Sequence, residues 1–255
     1  MNFEEIKRKA DQEWRRFNRL ERPRILIGAA TCGRAAGALE IWEKFRQELG
    51  SRSIQADFVE VGDLGMCFAE PCIEIGVPGG KRVLYGSVEE KTVPALVEDF
   101  IVKGDPRPDL ALCTFGEVRI DGIPAFEDLP MIRKQVRVVL RNSGIIDPAN
   151  IDHYIARGGY SGLMKCLRMK PEEVIEEVKA SGLRGRGGAG FPTGVKWGLA
   201  RNAKGDVKYI ICNADEGDPG AFMDRAVLES DPHAVLEGLV IGAYAIGARY
   251  AYVYA

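Results

Sequence analysis

The chain has 255 residues with 35 Lys plus Arg against 37 Asp plus Glu. The formal charge of -2 leaves no global electrostatic case for nucleic acid or an anionic membrane, so any phosphate binding must be local. No stretch approaches the ~18 consecutive apolar residues of a membrane span, and no apolar export core follows Arg15-Arg16, which predicts a cytoplasmic protein without direct membrane insertion.

The N-terminal segment 1–22 carries Ile6, Trp14, Phe17 and Leu20 at roughly helical spacing and reads as an amphipathic helix. Beyond Pro23, residues 24–30 form an apolar run suited to a buried strand, and 38–49 have helical periodicity. Strands follow at 54–61, 72–77 and 81–85, then a helix at 93–102. The order βαβ then ββα is that of a thioredoxin-like unit over 23–103. Residues 104–130, rich in Pro, Gly and Asp around apolar Leu110 to Phe115, read as a linker with one extended segment.

From 131 onward short helices are expected at 152–156, 162–167 and 171–180. Pro171 followed by Glu172 and Glu173 marks a helix start, and Ser181-Gly182 its end. A strand at 207–212, a helix from Pro232 to about Gly247 and a strand at 250–254 complete an α/β pattern. No helix follows that last strand, so the unit 131–255 reads as incomplete.

Two loops stand out. Residues 185–194 hold five glycines in ten positions, which frees backbone amides to approach an anion. A phosphate cradle is one reading and a flexible turn the other. The pattern is neither GxxxxGK[ST] nor a GxGxxG opening a βαβ unit. Lys196, just beyond, offers a compact positive charge. The strand at 207–212 then runs into Asn213, Asp215, Glu216 and Asp218, at the strand end where ligands of open α/β sheets sit. Asn213 can both donate and accept, while the three acids can receive hydroxyls or an amide; a solvated acidic turn is the plain alternative.

The run Ser181-Gly182-Leu183-Arg184-Gly185-Arg186-Gly187-Gly188-Ala189-Gly190-Phe191-Pro192-Thr193-Gly194-Val195-Lys196-Trp197, followed by Cys212-Asn213-Ala214-Asp215-Glu216 and Pro219-Gly220, closely resembles the NADH-binding flavoprotein subunit of respiratory complex I and the corresponding subunits of NAD-linked hydrogenases, formate dehydrogenases and electron-bifurcating enzymes. The resemblance implies hydride transfer from NAD(P)H to FMN and onward electron transfer to iron-sulfur partner subunits. By position it assigns Gly185, Arg186, Gly187, Gly188, Lys196, Asn213 and Asp215 to FMN, and Phe191, Glu216 and Asp218 to NADH. No side-chain acid, base or nucleophile is nominated, because hydride transfer needs none. Leu199 stands where the family often has an aromatic residue, and Asp218 where it favours glutamate. The alternative is a non-catalytic assembly or binding module derived from such a subunit.

The N-terminal unit resembles the thioredoxin-like [2Fe-2S] domain that related subunits carry ahead of the flavin domain. Such a cluster takes four thiolates, and the matching positions read Cys32, Gly37, Asp63 and Cys67. With two ligands missing, no intact cluster is expected, and Cys32 and Cys67 read as vestigial ligands. A [4Fe-4S] cluster, also implied by the family, would belong to a further C-terminal part. Cys72 falls at the wrong spacing, and Cys113, Cys166 and Cys212 read as core residues.

Overall fold

The computed structural model describes residues 2–255. Helix α1 (Phe3–Asn18) begins with a reciprocal cap: Asn2 Oδ1 accepts from Glu5 N (2.9 Å), and Asn2 N donates to Glu5 Oε2 (3.2 Å). Then come β1 (Arg24–Gly28), α2 (Thr31–Ala35), α3 (Ala38–Ser51), β2 (Asp57–Val61), β3 (Ile73–Gly76), β4 (Arg82–Tyr85), α4 (Val93–Leu96) and β5 (Ala111–Thr114). The sheet order is β2-β1-β3-β4-β5, with β1 parallel to β2 and every other pair antiparallel. This is the predicted thioredoxin-like arrangement.

Alternation sorts the strand residues onto two faces. Ile25, Ile27, Ile73, Ile75, Val83 and Tyr85 pack with Phe45 of α3 and with Leu96, Val97 and Phe100. On the opposite face Leu84, Cys72 and Cys113 meet Met66, Phe115, Phe126 and Ile132. A buried charge cluster shares that face: Arg82 forks onto Glu74 through Nε–Oε1 (2.7 Å) and Nη2–Oε2 (2.9 Å), and Arg24 lies 4.0 Å over the Phe17 ring. The two bonds of this fork satisfy the carboxylate that burial would otherwise penalise.

Two local readings change. The helix after α4 continues as a π-helical turn over Val97–Val102 rather than as plain α-helix. The extended segment foreseen within 104–130 is β5, the edge strand against β4. Residues 123–126 behind it are largely buried, so this stretch packs onto the N-terminal sheet instead of hanging between units.

The remainder comprises α5 (Ile151–Ala156), α6 (Ser161–Cys166), α7 (Pro171–Ala180), α8 (Thr193–Asn202), β6 (Tyr209–Asn213), α9 (Met223–Ser230), α10 (Pro232–Ile246) and β7 (Tyr250–Tyr254). Proline opens α7 and α10, and Gly247, at φ 76°, closes α10 in the left-handed conformation. Strands β6 and β7 are parallel, the crossover being made by α9 and α10. Gly242 lets α10 lie close: a Cβ there would come 2.5 Å from Ile210 Cδ1 and 3.1 Å from Trp197 Cζ2. Every residue of β7 is exposed and Cys212 on β6 is only half-buried, which corrects its reading as a core cysteine.

The two parts meet closely. Trp14 and Phe17 of α1 pack on His153 of α5, at centroid separations of 5.1 and 4.3 Å. Arg137 Nη1 donates to Leu64 O (2.9 Å), and Gly62 has no room for a Cβ beside Ser230. No helix among the described residues is long and apolar enough to cross a membrane.

Candidate functional site

The glycine loop has a closed neck and an open tip. Gly185 N donates to Phe191 O and Thr193 N to Leu183 O, each at 2.9 Å, while Arg184 Nη1 reaches Gly190 O at 2.9 Å. Beyond that neck the amides of Arg186, Gly187, Gly188 and Ala189 donate to no acceptor among the described residues. Gly188 (φ 99°) and Gly190 (φ 63°) take left-handed conformations that side chains resist. A Cβ on Gly187 or Gly188 would meet nothing within 4 Å, so the space over these amides is free for a ligand. Helix α8 starts at Thr193, directly after the loop, and its positive end favours an anion there. Arg186 and Lys196 are exposed and Phe191 is half-exposed. The donor set fits a phosphate monoester such as that of FMN.

Gly194 differs from its neighbours in the motif. A Cβ there would fall 2.5 Å from Lys179 N, so this glycine lets α8 close on α7.

At the carboxyl end of β6, Asn213 Oδ1 accepts from Asp215 N (3.2 Å), and Ala214 N donates to Tyr254 O at the end of β7 (2.7 Å). Asp215 and Asp218 lie on the loop that follows, both exposed. Glu216 is occupied: its carboxylate accepts from Asp224 N (3.0 and 3.1 Å) and Arg225 N (3.3 Å), holding the first turn of α9. Burial pushes this carboxyl up, but the backbone donors of Asp224, Arg225 and Met223 together hold it below its ordinary value. No hydrogen bond or ion pair among the described residues joins the glycine loop to the acidic loop; α10, packed on both α8 and β6, sets their relation.

Sequence reasoning missed Glu237. It is buried on α10 and accepts from Tyr154 Oη, from Tyr160 N (2.7 Å) and from Leu163 N (2.9 Å). The signal was present, since Glu237 is the single charged side chain in an otherwise apolar helix apart from His233.

The structure also gathers Cys32, at the start of α2, with Asp63 and Cys67 of the loop after β2; one ligand-type atom of each lies within 4.8 Å of the others. Asp63 Oδ1 accepts from Gly65 N (2.7 Å) and Met66 N (3.3 Å), and Cys67 Sγ donates to Asp63 Oδ2 (2.9 Å). Burial, and next the Asp63 hydrogen bond, push the Cys67 thiol up. Gly37 precedes α3 at φ 94° and offers no donor, while Cys72 is buried with its thiol turned to Ala69 O (3.3 Å). Two thiols and one carboxylate do not fit a [2Fe-2S] cluster, which takes four protein ligands dominated by thiolate.

The chain thus joins a thioredoxin-like unit to an α/β part whose glycine loop carries open amides ahead of a helix start. Residues 178–255 match the Nuo51 FMN-binding domain family, which shows the resemblance read from the two loops. Over 122 residues the chain is 64% identical to the NADP-reducing hydrogenase subunit HndC of Solidesulfovibrio fructosivorans, covering 48% of this chain and 25% of that protein. It is 55% identical over 118 residues to a subunit of the NADH-quinone oxidoreductase of Rhizobium meliloti, covering 46% and 28%. Over 235 residues it is 34% identical to the NAD-reducing hydrogenase HoxS subunit alpha of Cupriavidus necator, covering 91% and 36%. The chain thus spans between a quarter and little more than a third of the length of these relatives.

Proposed function

We propose that the protein is the FMN- and NADH-binding part of an oxidoreductase subunit that takes electrons from NAD(P)H and passes them to iron-sulfur partner subunits. The observation that carries this reading is the set of unpaired amides at 186–189, open to solvent at the start of α8, within the stretch that matches the FMN-binding family. When bound, FMN would supply the hydride acceptor and convert a two-electron donor into single-electron steps.

The residues' own tasks follow from their places. Arg186, Gly187, Gly188 and Ala189 hold the phosphate through backbone amides, Gly185 closes the neck of the loop on Phe191 O, and Lys196 adds charge from α8. Asn213 and Asp215 face the flavin ring from the strand end; Phe191 and Asp218 bound the dinucleotide. Glu216 supports that wall indirectly, by fixing the start of α9. HndC, HoxS subunit alpha and the Rhizobium meliloti relative are by name subunits of larger enzymes, and this supports a place in a multi-subunit oxidoreductase with electron-transfer partners. The test is spectroscopic. Protein loaded with FMN should show a flavin spectrum that NADH bleaches anaerobically; a protein indifferent to both FMN and NADH would instead support a non-catalytic assembly module.

A further inference from the structure

We propose that Cys32, Asp63 and Cys67 bind one zinc ion, with a fourth position left to an exchangeable ligand. This site is independent of the flavin reading. The three donor atoms lie within 4.8 Å of one another, and a tetrahedral zinc with bonds of about 2.3 Å to sulfur and about 2.1 Å to oxygen needs donors about 3.5 Å apart, so only small adjustments are required. Two thiolates with one carboxylate select zinc over the hard cations magnesium and calcium.

The surroundings prepare the site. Asp63 is buried, and its Oδ1 is tied to the amides of Gly65 and Met66, which leaves Oδ2 turned toward Cys67. Arg225 of α9 donates from Nη2 to Cys32 Sγ at 3.5 Å. Two thiolates and a carboxylate around a dication leave one net negative charge, and the guanidinium neutralises it while orienting a ligand sulfur. Thr31, next to Cys32, is held by Glu229 of the same helix as Arg225. Binding proceeds without redox change: the ion enters, the thiols of Cys32 and Cys67 each release a proton to solvent, and two metal–sulfur bonds and one metal–oxygen bond form. No fourth His, Cys, Asp or Glu joins the group among the described residues, so water or a partner's side chain completes the coordination.

The test is metal analysis on the full chain purified under reducing conditions, stripped with chelator and reloaded with zinc or with cobalt as a chromophoric probe. One zinc per chain should survive desalting, and the cobalt form should show thiolate charge-transfer and tetrahedral d–d absorption. Cys32→Ser and Cys67→Ser should each cut the intensity of the charge-transfer band. Arg225→Met, which leaves all three ligands in place, should weaken zinc binding about tenfold or more, with circular dichroism confirming that each variant folds. Substoichiometric zinc, zinc retained undiminished by the double Cys32→Ser/Cys67→Ser variant, a Cys32–Cys67 disulfide in place of metal, or iron with acid-labile sulfide would each overturn the assignment.

Discussion

Glu229 on α9 receives both the backbone amide of Thr31, at 3.0 Å, and the Thr31 hydroxyl, across 198 residues of sequence. This pair sits at the seam between the thioredoxin-like unit and the C-terminal part, next to the Arg225–Cys32 contact. A double-mutant cycle of Thr31→Val with Glu229→Gln should return a coupling of about 0.5–1.5 kcal/mol. Additive single effects would show that the seam does not depend on it.

Glu237 provides a stronger test of packing. Replacement by alanine strands the Tyr154 hydroxyl and the amides of Tyr160 and Leu163, and buried donors left unpaired are costly. Glu237→Ala should destabilise by about 3 kcal/mol, a Tm loss on the order of 10 °C. Glu237→Gln keeps one accepting oxygen and should lose less, as thermal denaturation would reveal.

The glycines of the loop motif separate into two kinds. Gly194→Ala drives a methyl into Lys179 of α7 and should cost about 1–3 kcal/mol of stability. Gly187→Ala meets no protein atom, so its stability should stay within about 0.5 kcal/mol of the parent's while FMN affinity falls. Equal stability losses in both variants would contradict this division.

His153 gives a pH dependence. Burial holds its imidazole below the ordinary 6.5, with Arg24 adding to the effect and Asp147, Glu13 and Asp152 opposing it. Its Nδ1 accepts from Asp147 N at 3.1 Å, fixing the neutral tautomer. A depressed folded-state value means that the unfolded chain binds the proton first, so this contribution is complete above pH 6.5 and is lost as pH falls through the folded value. His153→Phe should be less stable at neutral pH, because Asp147 N loses its acceptor, yet its Tm should decline less between about pH 7 and 5. An unchanged slope would remove His153 from the acid response.

Much of this was legible in the chain. Pro171 with Glu172 and Glu173 announced α7, Pro232 and Gly247 bracketed α10, and the apolar run after Pro23 became β1. Each is a local rule acting within a few residues. The resemblance to a thioredoxin-like [2Fe-2S] domain marked Cys32, Asp63 and Cys67 as positions of a dismantled cluster; local pattern alone does not encode their convergence, which depends on β1 and β2 lying side by side. Arg225 and Glu229 look like ordinary charges of an amphipathic helix until the units dock. Edge strand β5 was legible only as an extended segment inside a Pro- and Gly-rich linker, because its pairing with β4 is a long-range contact that four residues do not announce. Cys212 reads as core from its apolar neighbours, although both strands of its sheet remain largely open to solvent.

The central claim is that the 185–190 loop binds the phosphate of FMN, and a parallel titration of FMN and riboflavin, followed by flavin fluorescence, tests it most directly. Riboflavin carries the same ring without the phosphate. FMN should bind at least about tenfold more tightly, a difference of about 1.4 kcal/mol. Gly188→Val, which forces a β-branched residue to φ 99° and covers the neighbouring amides, should erase that preference. Equal affinity for the two flavins, or a preference for FMN that survives Gly188→Val, would contradict the account.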